Sequence, residues 1–280
     1  MSEPRAGAAE PRTLAPPERR VAVVSGVERI GAYSVITALD SSGPRDPRPG
    51  QFYMLASDEC WGGGADERPY LPRAFSYARA YAEDDGVALS FLLEAIGPGT
   101  ERLGRLGPHD GLALVGPLGI GFRPPPDGFR PILVGGGIGA APLLCLQEEL
   151  DETTLLLGFR SAAHAQAAAL FSGEPKVATD DGSVGRQALV TDLLAAELDT
   201  DPGATVFACG PPAMLEAVRA LCAARDVPAQ LALESGMACG FGACFGCVVP
   251  TTDGYVRLCV DGPVLDADRL ETALLAGAGH

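Results

Sequence analysis

Three changes of rhythm along the chain predict a multidomain β plus α/β protein. An N-terminal antiparallel β-barrel, a parallel-sheet nucleotide-binding domain and a small C-terminal cysteine domain are expected in that order. Short apolar runs broken by Gly, Pro and Asp come first, and strands alternating with helical patterns follow. Near the end three cysteines crowd into the stretch Cys239 to Cys247. At 280 residues the chain lies where single hydrophobic cores stop growing, so two or more domains are expected. A hydrophobic fraction of 47% with 20% charged residues is that of a soluble globular protein.

The opening MSEPRAGAAEPRTLAPPERR is rich in Pro, Ala and charge, and residues 1–18 read as a disordered lead-in. It lacks the apolar core of a signal peptide. No apolar run approaches the roughly 18–20 residues needed to span a bilayer. The formal charge of −15, with no basic stripe, argues against a nucleic-acid partner. A cytoplasmic protein with neither nucleic-acid nor membrane partner is expected, its thiols kept reduced.

Residues 19–122 carry the strand-like runs VAVVSGV (21–27), AYSVITAL (32–39), QFYMLA (51–56), AFSYARA (74–80) and VALSFLLEA (87–95). Their short spacing suits an antiparallel barrel better than β-α-β units. The pattern changes at PILVGGGIGAAPLLCLQEEL (131–150), where an apolar strand runs into a glycine turn and then a helical pattern. TTLLLGFR (153–160), PKVATDDGS (175–183) and TVFACGPPAMLEAVRALCAA (205–224) repeat the strand-first theme, and LVTDLLAAEL (189–198) reads as a helix. Residues 123–232 therefore predict a parallel sheet covered by helices. Residues 233–280 form the Gly-rich cysteine domain.

The spacing Cys239-x4-Cys244-x2-Cys247-x11-Cys259 is the plant-type pattern for a [2Fe–2S] cluster. Gly240, Gly242, Ala243 and Gly246 let the backbone approach an inorganic core and turn its N–H groups toward sulfur. Zinc is the competing reading, but zinc ribbons use paired CxxC knuckles, and this run has one CxxC and an x4 gap. Cys145 and Cys222 lie outside the pattern and read as buried core thiols; Cys60 also lies outside it.

VGGGIGAAPL (134–143) places Gly135, Gly136, Gly137 and Gly139 between a strand and a helix, where free N–H groups suit a pyrophosphate. FACGPPAML (207–215) falls at a second strand end, the edge at which open parallel sheets bind ligands. In PRAFSYARA (72–80), alternation sends Arg73 and Phe75 to one face, and the arginine can neutralise a phosphate. GPGTERL (97–103) adds a glycine turn and a threonine at a helix start. His109, His164 and His280 stand in unrelated contexts, and no hydrolytic triad is visible.

Taken in order, RxFS, GxGT, GGGIGxxP, CGPxxM and the cysteine quartet resemble the ferredoxin–NADP reductase superfamily. Within it, MACGFGACFGC and RLCVDGPVLDA are most similar to the electron-transfer subunits of dihydroorotate dehydrogenase B, over residues 19–270. The resemblance implies that Arg73, Ala74, Phe75 and Ser76 bind the FAD phosphate and flavin ring. Gly99 and Thr100 would hold the FAD pyrophosphate. Gly135, Gly136, Gly137, Gly139 and Pro142 would shape the pyridine-nucleotide site, and Cys209, Gly210 and Pro211 would lie beside the nicotinamide. Cys239, Cys244, Cys247 and Cys259 would ligate [2Fe–2S]. Leu92, Leu93 and Glu94 occupy the strand where the family commonly sets a Tyr-Arg-type pair against the flavin, so they are the second flavin contact expected. The insert CWGGGADERPY (60–70) lengthens the loop before Arg73.

The implied activity is a relay, with the hard chemistry carried by cofactors. Electrons from an FMN-containing dihydroorotate dehydrogenase catalytic subunit would pass through [2Fe–2S] and FAD to NAD⁺ in pyrimidine biosynthesis, in a heterotetramer of two of each chain. Phe241 and Phe245 are candidate interface residues. Arg160 and Ser161, at the end of TTLLLGFR, could meet a 2′-phosphate, but the family favours NAD. Related flavin and iron–sulfur oxidoreductases, of the ferredoxin:NADP oxidoreductase or sulfide dehydrogenase type, are the alternative.

Overall fold

A computed structural model describes residues 12–59 and 71–275. The insert at 60–70 and the first eleven residues of the lead-in lie outside the described residues. The N-terminal half is one antiparallel sheet of seven strands: β1 (Arg20–Ile30), β2 (Tyr33–Asp40), β3 (Phe52–Ser57), β4 (Arg73–Ser76), β5 (Arg79–Glu83), β6 (Gly86–Leu93) and β7 (Gly111–Leu118). In β1, Arg20, Ala22 and Val24 point inward while Val21 and Val23 face solvent, the period of two that sheets require. A two-residue turn with Gly31 at φ +59° joins β1 to β2.

The strand order β4-β3-β7-β1-β2-β6-β5 puts β4 and β5 at opposite edges, yet only Tyr77 and Ala78 separate them in sequence. The sheet must therefore curl until its edges approach. AFSYARA, read from sequence as one run, is two strands with the seam between them. Tyr53 packs edge-on against Phe91 (5.6 Å) and Tyr77 (6.3 Å) at the centre of the curl. A helix, α1 (Pro98–Leu103), follows β6.

The second sheet holds β8 (Arg130–Gly136), β9 (Thr154–Phe159), β10 (Lys176–Thr179), β11 (Arg186–Gln187), β12 (Ala204–Cys209) and β13 (Ala229–Ala232), all parallel. Its helices are α2 (Ala141–Glu149), α3 (Ala162–Ala165), α4 (Val190–Thr200) and α5 (Pro212–Ala223). The order β11-β10-β9-β8-β12-β13 means that the chain starts at β8, winds outward to β11, then returns to β12 on the other side. β8 and β12 thus flank the point where the winding reverses.

The last segment contributes the hairpin β14 (Val248–Thr251) and β15 (Gly254–Arg257), the short helix α6 (Leu258–Asp261) and β16 (Val264–Asp266). β16 pairs antiparallel with β13 and completes the second sheet. A shared apolar core runs from Phe52, Met54 and Leu118 of the barrel through Val249 and Leu258 to Leu215 and Leu231. All three parts are therefore packed into one body. No helix among the described residues is long and apolar enough to cross a membrane.

Candidate functional site

β3–β4 pairing sets Leu55 opposite Arg73 and Met54 opposite Ala74. Directly opposed residues share a face, so Arg73 and Phe75 lie with Leu55 and Tyr53, while Ala74 and Ser76 lie with Met54 and Phe52. Arg73 donates to the Leu71 carbonyl at 2.5 Å, and its guanidinium lies against the first turn of α1. A Cβ added to Gly99 would meet Arg73 Nε and Nη2 at 3.0 Å. Thr100 Oγ1 accepts from the N–H groups of Ile96 (3.0 Å) and Gly97 (3.1 Å), which fixes that turn. RxFS and GxGT, far apart in sequence, therefore form one polar corner built of a cation and a glycine turn.

Gly135, Gly136, Gly137 and Gly139 lie at the end of β8 and in the 3₁₀ turn that leads into α2. Cys209, Gly210 and Pro211 lie at the end of β12, the neighbouring strand. A Cβ on Gly139 would stand 2.6 Å from Cys209 C and O, and one on Gly136 would stand 2.9 Å from Pro211 Cδ. Pro142 is buried in the first turn of α2. Both motifs thus meet at the switch point of the sheet, the crevice in which doubly wound folds bind nucleotides. Burial, with Glu234 and Cys145 adding to it, pushes the Cys209 thiol well up, so it stands neutral.

Leu92 and Leu93 are buried at the end of β6. The carboxylate of Glu94, the next residue, turns toward the nucleotide domain. Glu94 Oε1 accepts from Arg160 Nη2 at 2.5 Å and lies 3.2 Å from His164 Nε2. Ser161 Oγ and His164 Nδ1 are 2.9 Å apart, and Tyr33 packs edge-on against the His164 ring at 5.6 Å. Burial, then the nearby Glu94 charge, pushes the Tyr33 phenol well up.

The four thiols of the quartet stand free of disulfides as two pairs. Cys247 Sγ and Cys259 Sγ are 3.2 Å apart, and the Cys244 thiol hydrogen-bonds Cys239. Partial burial raises Cys239, but the backbone N–H groups of Cys244, Phe241 and Ala243 outweigh it and hold the thiol down to about 6. Burial, reinforced by Cys247, pushes Cys259 up to about 12. Gly240 and Gly242 adopt φ +80° and +85°, which brings the loop amides round to sulfur. Among the described residues no three ligating side chains close around a single ion. Two thiols for each of two irons is the division that a [2Fe–2S] centre asks for, and the residues fit it.

The cluster loop also touches the barrel. A Cβ on Gly240 would lie 2.4 Å from Met54 Cγ and 3.0 Å from Leu118 Cδ1. Met54 shares the β4 face that carries Ala74 and Ser76, so the thiols stand beside the strand expected to hold flavin. Sequence reasoning missed Met54, Tyr33 and the tie from Glu94 to Arg160. Met54 sits in an ordinary apolar strand, and only the strand pairing reveals its neighbour across the domain boundary.

Residues 234–271 match the model of the iron-sulfur cluster binding domain of dihydroorotate dehydrogenase B. The electron transfer subunit of dihydroorotate dehydrogenase B (NAD(+)) from Clostridium acetobutylicum is 35% identical over 246 residues, 87% of this chain and 94% of that protein. The subunit of the same name from Bacillus caldolyticus is 38% identical over 236 residues, 80% of this chain and 86% of its own length. Among solved structures, an NADH-dependent reduced ferredoxin-NADP oxidoreductase superimposes with a TM-score of 0.74 at 22% identity, over 90% of each chain. A ferredoxin NADP+ reductase from Neisseria gonorrhoeae, solved with FAD and NADP, gives 0.55 at 15% identity over 74% of this chain and 91% of its own. These two structures share the fold.

Proposed function

Because the chain belongs to the family of dihydroorotate dehydrogenase B (NAD(+)) electron transfer subunits, we propose that it carries electrons from a dihydroorotate-oxidising catalytic subunit to NAD⁺. The observation that carries this reading is the contiguity of the three motif sites. The cysteine loop presses on Met54 beside β4, and the Arg73–Gly99 corner and the GGGIG–CGP crevice belong to the same packed body. FAD held at the Arg73–Gly99 corner would supply hydride exchange with nicotinamide and single-electron exchange with [2Fe–2S], joining two-electron to one-electron chemistry.

This chain's own residues bind and orient. Arg73 neutralises phosphate, and Ala74, Phe75 and Ser76 line the flavin strand; Leu93 packs in the same apolar cluster as Phe75, while Leu92 packs with Tyr33 toward the nucleotide domain. Gly99 and Thr100 shape the turn that takes the FAD pyrophosphate. Gly135, Gly136, Gly137, Gly139 and Pro142 form the dinucleotide turn, and Cys209, Gly210 and Pro211 close the nicotinamide side. Cys239, Cys244, Cys247 and Cys259 hold the cluster, with loop amides stabilising sulfur charge. The domains so defined are 19–122 for FAD, 123–232 for NAD and 233–280 for [2Fe–2S].

The partner is an FMN-containing catalytic subunit, two copies of each chain assemble, and the complex works in the cytoplasm in pyrimidine synthesis. The test uses the complex captured from native cells on a tagged copy of this chain. Dihydroorotate and NAD⁺ are added, and NADH absorbance is followed in the near ultraviolet. A steady rise that vanishes in Cys244→Ser, with iron content reduced, is expected. No rise from a yellow-brown complex that NADH still reduces assigns the relay to another substrate.

A further inference from the structure

We propose that Tyr33 is a further binding residue for the pyridine nucleotide, its hydroxyl donating from the barrel to the pyrophosphate held on the Gly137 turn. The inference rests on the reading of the β8–β12 crevice as a pyridine-nucleotide site. Three of the four glycines there are accounted for by packing within the nucleotide domain. A Cβ on Gly135 would meet Leu157 at 2.9 Å, one on Gly136 would meet Met214 at 2.5 Å, and one on Gly139 the backbone of Cys209 at 2.6 Å. Gly137 differs. At φ +55° it takes the left-handed backbone that glycine favours. Beyond its own turn, a Cβ there would have one neighbour within 4 Å, the Tyr33 hydroxyl oxygen at 3.7 Å.

Tyr33 opens β2 in the barrel, where it pairs with Ile30 across the β1–β2 turn. The residue is 1% exposed, and its ring belongs to the apolar cluster that holds Ala140 and Ala141 at the start of α2 and Phe159 at the end of β9. Edge-on contact with His164 at 5.6 Å holds the ring, and Ser161 holds that imidazole through Nδ1. The Tyr33 hydroxyl nevertheless has no hydrogen-bond partner among the described residues. Tyr77, by contrast, donates to the Pro47 carbonyl at 2.8 Å. Tyr53 also lacks a partner, but its hydroxyl is sealed inside the barrel, whereas that of Tyr33 faces the glycine turn. A buried donor left unpaired in that place asks for an acceptor from outside the chain.

A pyrophosphate on the free N–H groups of the turn would supply that acceptor. A phenol donates only while it keeps its proton. Burial, then the Glu94 charge, pushes this one well up, so it is protonated at neutral pH. A hydrogen bond from it to a phosphate oxygen is charge-assisted, and stronger than one between neutral groups. The nucleotide would then be gripped from two sides, by backbone amides of its own domain and by one hydroxyl of the barrel. That second grip ties its position to the domain that carries the flavin strand.

The experiment uses the purified complex with its cofactors. Calorimetry measures binding of ADP-ribose, which carries the pyrophosphate but no nicotinamide, and rapid mixing follows flavin bleaching across NADH concentrations. The variants are Tyr33→Phe and Tyr33→Met, which both delete the hydroxyl and are read in parallel so that a folding failure of one does not decide the result. Loss of one hydrogen bond to a charged acceptor predicts about tenfold weaker binding of ADP-ribose and of NADH, in step. The limiting bleaching rate at saturating NADH should stay within about twofold, a split that a general loosening of the domains would not give. Unchanged ADP-ribose binding in a folded variant overturns the role of Tyr33. A loss confined to NADH, or release of FAD, overturns it too, by placing the hydroxyl on the nicotinamide or on the flavin cofactor. Where NADH still bleaches the flavin, the proposed function stands. A wild-type complex that binds neither ADP-ribose nor NADH overturns the crevice assignment itself.

Discussion

A methyl group placed on Gly139 would lie 2.6 Å from the carbonyl carbon and oxygen of Cys209 and from Cα of Gly210. All three atoms are backbone, so no rotamer change relieves the clash. The ends of β8 and β12 would have to part, at roughly 1–3 kcal/mol of overpacking. Gly139→Ala is therefore expected to weaken NADH binding at least about tenfold while the bound flavin keeps its visible spectrum. Titration of flavin bleaching with NADH checks it. Both glycine motifs were legible in the sequence because a tight turn is written in local composition. Their contact across about seventy residues was not, since it depends on β8 and β12 becoming neighbours.

Among the elements, β1, β2 and β7 are joined by one buried ion pair. Arg20 Nη2 donates to Asp40 Oδ2 at 2.9 Å and to the Gly116 carbonyl at 2.6 Å, with side chains 7% and 1% exposed. Asp40→Ala would leave the guanidinium buried without its counter-charge, and a loss of about 3–5 kcal/mol in urea unfolding is expected. At α5, Glu216 holds the C-terminal segment. It accepts from Arg219, from the Ala273 N–H at 2.6 Å and from Thr272 Oγ1 at 3.0 Å. The Arg219 hydrogen bond outweighs partial burial and, with the Ala273 and Thr272 bonds, holds the carboxyl down to about 2. A depressed folded pKa adds stability above the ordinary carboxylate range and loses it as pH falls through that range toward 2. The gap in melting temperature between wild type and Glu216→Gln should therefore be present at pH 7 and close between about pH 4.5 and 2. Solvent screening keeps it to about 1 kcal/mol or less.

Element types followed periodicity well, with β8, α2, α4 and β12 standing where the apolar pattern put them. The split of AFSYARA between two sheet edges was not legible, because alternation continues unbroken through Tyr77 and Ala78. The return of β16 to the second sheet was equally hidden. Three residues carry too little pattern to announce a partner so far back in the chain.

At the scale of the whole molecule, the cysteine domain buries its apolar side in the shared core but leaves three aromatic side chains facing solvent. Phe241 and Phe245 are 48% and 63% exposed, and Tyr255 is 79% exposed on the adjoining hairpin. Phe245 adopts φ +58°, with the Arg257 guanidinium 5.4 Å from its ring. Phe241 and Phe245 flank the exposed Cys244 in the loop, so a partner seated there would approach that thiol. Phe241→Glu combined with Phe245→Asn, a residue that tolerates positive φ, should weaken association with the catalytic subunit at least about tenfold. Iron content and flavin bleaching by NADH should persist. Affinity capture at graded salt, with metal analysis of the captured chain, reads both.

The feet of the cysteine loop carry a consequence for metal loading. β13 ends at Ala232, β16 begins at Val264, and these strands are hydrogen-bonded neighbours in one sheet. The four cysteines proposed as iron ligands thus lie on a tethered arch whose entrance and exit are already closed by the fold. Its loop-closure entropy is spent before any metal arrives. Unlike a zinc finger, which is unfolded without its ion, a chain stripped of iron should keep its ligands gathered and accept a replacement cluster without refolding.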